Sequence, residues 1–134
     1  MLADSVIATA TTAMGRPYRL GGAGVGAGAD SNGFDCSGLI QYAFGHHGIT
    51  LPRRSADQAR AGTAVPKRVE DLRPGDLLTF SNRGGIVTHV GLYLGERRFI
   101  HSATRGVQVS TLSADDVYGR WWYKRWVGVR RIID

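Results

Sequence analysis

The hydrophobic period of this sequence changes near Pro74-Gly75, and that change restricts the fold more than any other feature. Before it, apolar residues recur at helical spacing; after it, short runs alternate as they do in strands. The first half predicts helices over residues 4–15, 36–47 and 55–61. The second half predicts five strands, over residues 77–80, 86–94, 98–102, 107–110 and 126–133. Helices followed by an antiparallel sheet predict an α+β domain.

Length and composition limit the class of protein. A chain of 134 residues has room for one domain, which we expect to span residues 1–134. The hydrophobic fraction of 43% and the charged fraction of 21% are ordinary for globular proteins and argue against disorder. No apolar run is long enough for a transmembrane segment. The first residues lack a basic segment and a long apolar core, so no signal peptide is visible.

The single cysteine and the net charge each leave several possibilities open. Cys36 cannot form an internal disulfide, so it is a buried thiol, an intermolecular link or a reactive group. The 17 Lys and Arg against 11 Asp and Glu give a net charge of +6. Such a charge favours an anionic partner or surface.

Two histidines stand where they could activate that thiol. Cys36 lies in the first turn of a predicted helix, where the helix dipole is expected to lower its pKa. His89 opens one strand, His101 closes the next, and Gly95 lies midway between them. A hairpin turning at Gly95 would place the two imidazoles nearly opposite each other. Together the three residues fit a nucleophile, a base and a residue that orients the base.

Simpler explanations exist for the same residues. A lone cysteine on a helix is commonly a small buried apolar residue. Cys36, His89 and His101 also have the donor types of a zinc site, although the sequence lacks H-E-x-x-H and paired cysteines. We therefore expect no metal.

Two further segments are unusual in composition. Residues 21–33 are rich in glycine without the spacing of a phosphate-binding loop, which predicts a surface loop at the rim of a cleft. Residues 121–126 mix aromatic and basic side chains, a composition that could contact sugars, bases or a membrane surface. We expect instead that the aromatic side chains cover the sheet while the Lys and Arg stay in water.

Several segments, in this order, resemble the NlpC-type family of papain-like cysteine peptidases of bacterial cell walls. They are Gly15-Arg-Pro-Tyr18, Asp35-Cys36-Ser37-Gly38, Leu51-Pro52-Arg53 with Ser55 and Gln58, Leu72-Arg-Pro-Gly-Asp76, His89-Val-Gly-Leu-Tyr-Leu-Gly95 and Phe99-Ile-His101. The resemblance extends to Arg131, and residues 118–131 are similar to the tail of enterobacterial murein endopeptidases. It implies a papain-like fold with N-terminal helices packed on a central antiparallel sheet of about five strands.

The resemblance also implies roles for individual residues. Cys36 would be the nucleophile, His89 the general base and then acid, and His101 the orienting residue. Tyr18 matches a tyrosine that helps to bind the oxyanion. Asp35 and Ser37 match positions that hold the substrate peptide, the aspartate often facing an amino group. The sequence departs from the family pattern at Leu20, where many members have Trp, and in the longer loop over residues 23–32.

The implied function is hydrolysis of amide bonds in peptidoglycan peptide stems through a thioester. The bond would be γ-D-glutamyl-diamino acid or the D-alanyl-diamino acid cross-link. Alternatives are a thiol acyltransferase or amidase with the same triad, or a non-catalytic wall-binding or phage-tail module. No cofactor is needed by this chemistry.

The implied setting is the cell envelope. We expect a monomer that acts in the periplasm or after secretion, attracted to anionic envelope polymer rather than nucleic acid. A trimmed mature domain, a phage tail component and an injected effector remain as delivery routes. An immunity protein is an expected partner only for the effector.

Overall fold

The computed structural model describes residues 1–24 and 33–134. Most of the predicted glycine-rich loop, residues 25–32, lies outside the described residues. The expectation that this loop rims a cleft therefore stays a prediction. The helices and a 3₁₀ turn are α1 (Leu2–Thr11), α2 (Cys36–Gly45), α3 (Ser55–Gln58), the turn Val69–Asp71 and α4 (Gly119–Arg125). The strands are β1 (Thr63–Val65), β2 (Leu77–Phe80), β3 (His89–Gly95), β4 (Arg98–Ala103), β5 (Gly106–Thr111) and β6 (Trp126–Arg131).

The strands form one antiparallel sheet in the order β1-β6-β2-β3-β4-β5, which confirms the α+β prediction. The sheet has six described strands rather than about five, because β1 pairs with the end of β6. This edge strand has only three residues, and two of them are exposed. It is too short for an alternating pattern to reveal it.

Both faces of the sheet are covered. Helices α1 and α2 pack on one face, around Leu39 and Phe44 of α2 and Val90 and Leu92 of β3. The opposite face carries a second cluster of buried residues, including Phe80, Phe99, Trp126 and Val129. The alternation in β3 predicts a core only on the face that carries Val90 and Leu92. This prediction is incomplete, because the other face of the sheet is also buried, under aromatic side chains.

The sequence does not predict helix α4, because the segment Gly-Arg-Trp-Trp-Tyr-Lys-Arg is short and dominated by aromatic residues that favour strands. Its Trp122 and Tyr123 pack against the second cluster, so the expectation that aromatic side chains cover the sheet is confirmed for them. Trp121 differs, since it is 45% exposed. No described helix is both long and apolar enough to cross a membrane.

The other boundaries differ by a few residues. Helix α1 begins at Leu2, so Asp4 is in its first turn instead of capping it. Helix α3 is a single turn that begins after Arg54, so Ser55 lies inside it. Strand β3 begins at His89 instead of residue 86, because Ile86 forms a separate bridge with Arg83.

The β3–β4 hairpin turns at Glu96 and Arg97, both with positive φ (52° and 63°). A register irregularity before Gly95 shifts the pairing, so that Leu92 lies opposite Ile100. His101 is consequently beside Gly91: a Cβ built on Gly91 would lie 3.4 Å from the His101 Cβ. The two histidines, predicted to lie nearly opposite each other, are therefore diagonal neighbours across a glycine that leaves room for their rings.

Candidate active site

Cys36 is the first residue of α2, half-buried at the edge of the helix-side core. Asp35 caps the helix by accepting the Gly38 N–H at 2.7 Å. Burial raises the pKa of the Cys36 thiol above its ordinary value, and the backbone N–H groups of Val90 and Ser37 only partly oppose this. The expected lowering by the helix start is thus overturned, because desolvation of the thiolate outweighs it. The contact with Val90 places the thiol next to the residue that follows His89.

The two histidines form one hydrogen-bonded chain. His89 Nε2 lies 2.8 Å from His101 Nδ1, and His101 Nε2 lies 2.8 Å from the Ser110 hydroxyl. His101 is fully buried, so both of its nitrogens find partners inside the protein. Because Nε2 of His89 is occupied, Nδ1 is the nitrogen left to exchange a proton with another group. Ser110 has no signature in the sequence beyond its place in a predicted strand.

Both imidazoles are neutral near neutral pH. Burial lowers the pKa of His89 from 6.5 to about 4. Burial, together with the nearby charge of His89, lowers the pKa of His101 well below 6.5. With Cys36 and His89 both uncharged, the imidazole is in the form that can accept a proton from a thiol.

The same burial makes stability depend on pH. The unfolded chain binds a proton at His89 more tightly than the folded protein does. Burial of the neutral His89 therefore costs no stability above pH 6.5, where this residue is also unprotonated in the unfolded chain. As the pH falls from 6.5 towards about 4, the unfolding free energy should decrease by about 2–3 kcal/mol. Denaturant unfolding of the wild type and of His89→Gln across this range measures it. The variant should lose the share of the dependence that His89 contributes and keep the share of the buried His101; equal slopes for the two proteins would contradict a buried neutral His89.

Trp122 covers the histidine pair. Its ring stacks on His89 with centroids 4.6 Å apart and meets the His101 ring edge-on at 4.6 Å. Phe80 supports Trp122 from the sheet, at 5.4 Å. Such a cover excludes water from the bond between the two imidazoles and holds their planes nearly perpendicular, at 84°. The composition of residues 121–126 is unusual, but nothing in the sequence indicates that Trp122 covers the two histidines.

Tyr18 lies on the segment that runs beside the residues preceding Cys36. Its backbone forms a parallel bridge with Phe34, and it is 36% exposed. Burial raises the pKa of the Tyr18 hydroxyl, and the charges of Cys36 and Asp35 raise it further. The hydroxyl therefore stays protonated beside the thiol and can donate a hydrogen bond.

Asp35 and Ser37 face inward, towards Arg53. The Arg53 guanidinium binds both carboxylate oxygens of Asp35, at 3.0 and 2.9 Å, and donates to the Ser37 hydroxyl at 2.9 Å. Asp35 also accepts the Gly21 and Gly38 N–H groups and is only 9% exposed. That these two residues hold the substrate peptide stays a prediction; in this structure their polar atoms bind Arg53 and the start of α2. The sequence included Arg53 in a motif without giving it a role.

Arg53 connects the start of the nucleophile helix to the preceding loop, since it also donates to the Gly22 carbonyl oxygen at 3.3 Å. Arg53→Gln should lower the unfolding free energy by about 1–3 kcal/mol and reduce turnover, because a mostly buried carboxylate loses its charged partner. Arg54→Gln is the matched control, because the Arg54 side chain is 83% exposed and pairs, within residues 1–24 and 33–134, with Asp57 alone. Thermal unfolding and turnover of both variants test this. Equal effects at the two positions would contradict the assigned role of Arg53.

Among the described residues, no three His, Cys, Asp or Glu side chains converge as ligands for one metal ion.

The fold and these residues define a class: a papain-like α+β domain with a cysteine at a helix start and two paired histidines on the adjoining sheet. Residues 15–131 match the NlpC/P60 family model, and the chain belongs to that family.

Two curated relatives align with most of this chain. Murein DD-endopeptidase MepH of Escherichia coli is 36% identical over 124 residues, which cover 90% of this chain and 42% of MepH. A γ-D-glutamyl-L-lysine dipeptidyl-peptidase of Bacillus cereus is 37% identical over 98% of this chain and 37% of its own length. The chain thus spans about two fifths of these curated relatives.

Solved structures agree with the fold. An NlpC/P60 family protein of Bacillus cereus has a TM-score of 0.83 at 35% identity, covering 98% of this chain and 40% of that one. The peptidoglycan hydrolase RipB of Mycobacterium tuberculosis has a TM-score of 0.79 at 36% identity, covering 99% and 65%. The papain-like fold inferred from sequence motifs is confirmed.

Proposed function

We propose that this domain is a cysteine endopeptidase that hydrolyses amide bonds in the peptide stems of peptidoglycan. The observation that carries the proposal is the 2.8 Å hydrogen bond between His89 and His101 at the strand start adjoining Cys36. It occupies one nitrogen of His89 and leaves the other to serve the thiol. Relatives named as peptidoglycan endopeptidases and γ-D-glutamyl peptidases support the substrate class.

The first half of the reaction is acylation. His89 Nδ1 takes the proton of Cys36 as the sulfur attacks the amide carbonyl carbon. The Tyr18 hydroxyl and the Cys36 backbone N–H, which has no partner within its helix, donate to the oxyanion that forms. The imidazolium of His89 then protonates the leaving amine as the C–N bond breaks. A thioester on Cys36 remains.

The second half is hydrolysis. His89, neutral again, takes a proton from water as the water oxygen attacks the thioester carbonyl. The C–S bond breaks, the carboxylic acid leaves, and Cys36 recovers its proton. His101 acts by holding His89 in one orientation and tautomer, with Ser110 and Trp122 fixing His101 in turn.

The site of action under this proposal is the cell envelope, in the periplasm or after secretion. The net charge of +6 would attract the domain to anionic envelope polymer, and added salt should weaken that attraction.

The bond that is cut can be identified directly. Purified protein is incubated with disaccharide-peptide monomers and with cross-linked dimers of peptidoglycan, and the product masses are determined. Shortened stems from monomers identify the γ-D-glutamyl-diamino acid bond, whereas monomers released from dimers identify the D-alanyl cross-link. If neither substrate yields a new amine or carboxyl terminus, the domain is not this peptidase, and a non-catalytic wall-binding module becomes the better explanation.

A further inference from the structure

Strand β5 forms one edge of the sheet, with β4 as its sole neighbour among the described strands. Its sequence, Gly-Val-Gln-Val-Ser-Thr, contains no charged residue and no proline, and its pairing with β4 runs through six consecutive residue pairs. Edge strands are usually protected by charges, proline, bulges or short length, because their unpaired backbone groups attract further strands. The opposite edge strand, β1, has only three residues. Strand β5 is therefore the edge that is able to accept another strand.

The hydrogen bonds of Val107 show which backbone groups of β5 point outward. The Val107 N–H donates to the Arg16 carbonyl oxygen, and the Val107 carbonyl oxygen accepts the Gly15 N–H. Both groups of Val107 thus point away from β4. Alternate residues of an antiparallel strand point the same way, so the backbone groups of Val109 and Thr111 also face outward.

The outward groups beyond Val107 have no partner strand. Within residues 1–24 and 33–134, neither the N–H and C=O groups of Val109 nor the Thr111 N–H makes a hydrogen bond outside the ladder with β4. The Thr111 carbonyl oxygen is covered by Gly119 of α4, where a Cβ would overlap it. Residues 109–111, which we call the open edge, therefore offer two donors and one acceptor to an extended peptide.

A cleft of 780 Å³ runs along the open edge, between the β4–β5 turn, strand β5 and helix α4. Neither Cys36 nor Tyr18 is among the described residues that line it, so it is separate from the thiol. Tyr118 is 81% exposed and Trp121 is 45% exposed, and both line the cleft as an apolar wall. Backbone groups on one side and aromatic side chains on the other suit a peptide strand with its side chains.

The charge of the cleft favours an acidic occupant. Arg105 lines the cleft at the start of β5, is exposed, and makes no hydrogen bond or ion pair with the described residues. The Asp116 carboxylate, also in the lining, already accepts the N–H groups of Tyr118 and Gly119. A guanidinium with free N–H donors binds a carboxylate through two parallel hydrogen bonds. The net charge of +6 on each copy opposes a second copy as the occupant.

We propose that the open edge docks an extended, acidic segment of another protein, which adds a strand beside Val109 and places a carboxylate at Arg105. The proposal is independent of the peptidase function, because the docked strand needs neither the thiol nor the histidines. The segment would lie against Ser110 and Trp122, which also line the cleft.

Labelled six-residue peptides of alternating Val and Thr, with Glu at each position in turn, test this by fluorescence anisotropy. Val109→Pro removes one outward N–H, and the ladder with β4 does not use that N–H. Val109→Thr keeps the N–H and is the matched control. The tightest-binding peptide should bind Val109→Thr as it binds the wild type, and Val109→Pro about three- to ten-fold more weakly.

Arg105→Gln tests the charge of the cleft and does not alter the backbone. It should lower the affinity of the tightest-binding peptide to that of a peptide of Val and Thr alone. Arg98→Gln is the matched control, because Arg98 is exposed at the far end of β4 and is not among the described lining residues. If circular dichroism finds Val109→Pro unfolded, the comparison of Arg105→Gln with Arg98→Gln decides alone.

Three results would overturn the proposal. The first is that none of the peptides binds the wild type with a Kd below about 1 mM. The second is that folded Val109→Pro binds as tightly as Val109→Thr, or Arg105→Gln as tightly as Arg98→Gln. The third is a wild-type dimer in sedimentation that Val109→Pro dissociates, since the open edge would then pair with a second copy.

Discussion

Replacing His89 with glutamine is expected to lower kcat/KM on peptidoglycan stems by about 10³–10⁴-fold. Glutamine keeps a polar side chain of similar reach but cannot take a proton from the Cys36 thiol, whose pKa burial has raised. Without the base, almost none of the thiol would be ionised at neutral pH. Initial rates on a defined stem peptide measure the effect, and circular dichroism checks that the variant is folded.

Variants along the hydrogen-bonded chain should show graded losses. His101→Gln should reduce kcat, because His89 loses the partner that fixes its orientation, while the base itself remains. Ser110→Ala should have the smallest effect, since it removes a contact that reaches the base only through His101. A loss of less than ten-fold in His89→Gln, or a larger loss in Ser110→Ala than in His89→Gln, would contradict the assignment of His89 as the base.

Breaking the buried pair between Asp76 and Arg131 should cause the largest loss of stability. Asp76 is 1% exposed, and its carboxylate accepts two hydrogen bonds from the Arg131 guanidinium, both at 2.8 Å. Arg131→Met would leave this carboxylate buried without its counter-charge, at a cost of about 3–5 kcal/mol. Denaturant unfolding measures the difference in unfolding free energy.

A surface pair nearby is the matched control for that experiment. Arg68 and Asp71 also form an ion pair, but their side chains are 61% and 32% exposed. Arg68→Met should therefore change the unfolding free energy by less than about 1 kcal/mol. Similar losses from Arg131→Met and Arg68→Met would show that burial does not set the strength of the Asp76 pair.

The sequence could predict those parts of the site that depend on short-range pattern. Cys36 lies at a helix start because Asp35 caps that helix, and Leu39, Phe44 and Gly48 mark its apolar face and its end. The two histidines could be placed on neighbouring strands because a short turn separates them. The α+β order followed from the change of period at Pro74-Gly75.

The remaining parts depend on long-range packing that no local pattern records. The irregularity near Gly95 shifts the hairpin register, and only the structure shows that the histidines meet diagonally. Trp122 covers them because α4 folds back over the sheet, although its residues favour strands. The partners of Asp35 include Arg53, eighteen residues away in sequence, a contact that only the structure shows.

The most direct test of the central claim is turnover by Cys36→Ala. The thiol is the only group in the proposed mechanism that bonds to the substrate, and alanine removes it with little change in volume. Purified wild type and Cys36→Ala are incubated with isolated peptidoglycan, and the released amines are counted by labelling and mass spectrometry. We predict cleaved stems with the wild type and none above background with the variant. Cleavage by folded Cys36→Ala at a rate near that of the wild type would contradict the account.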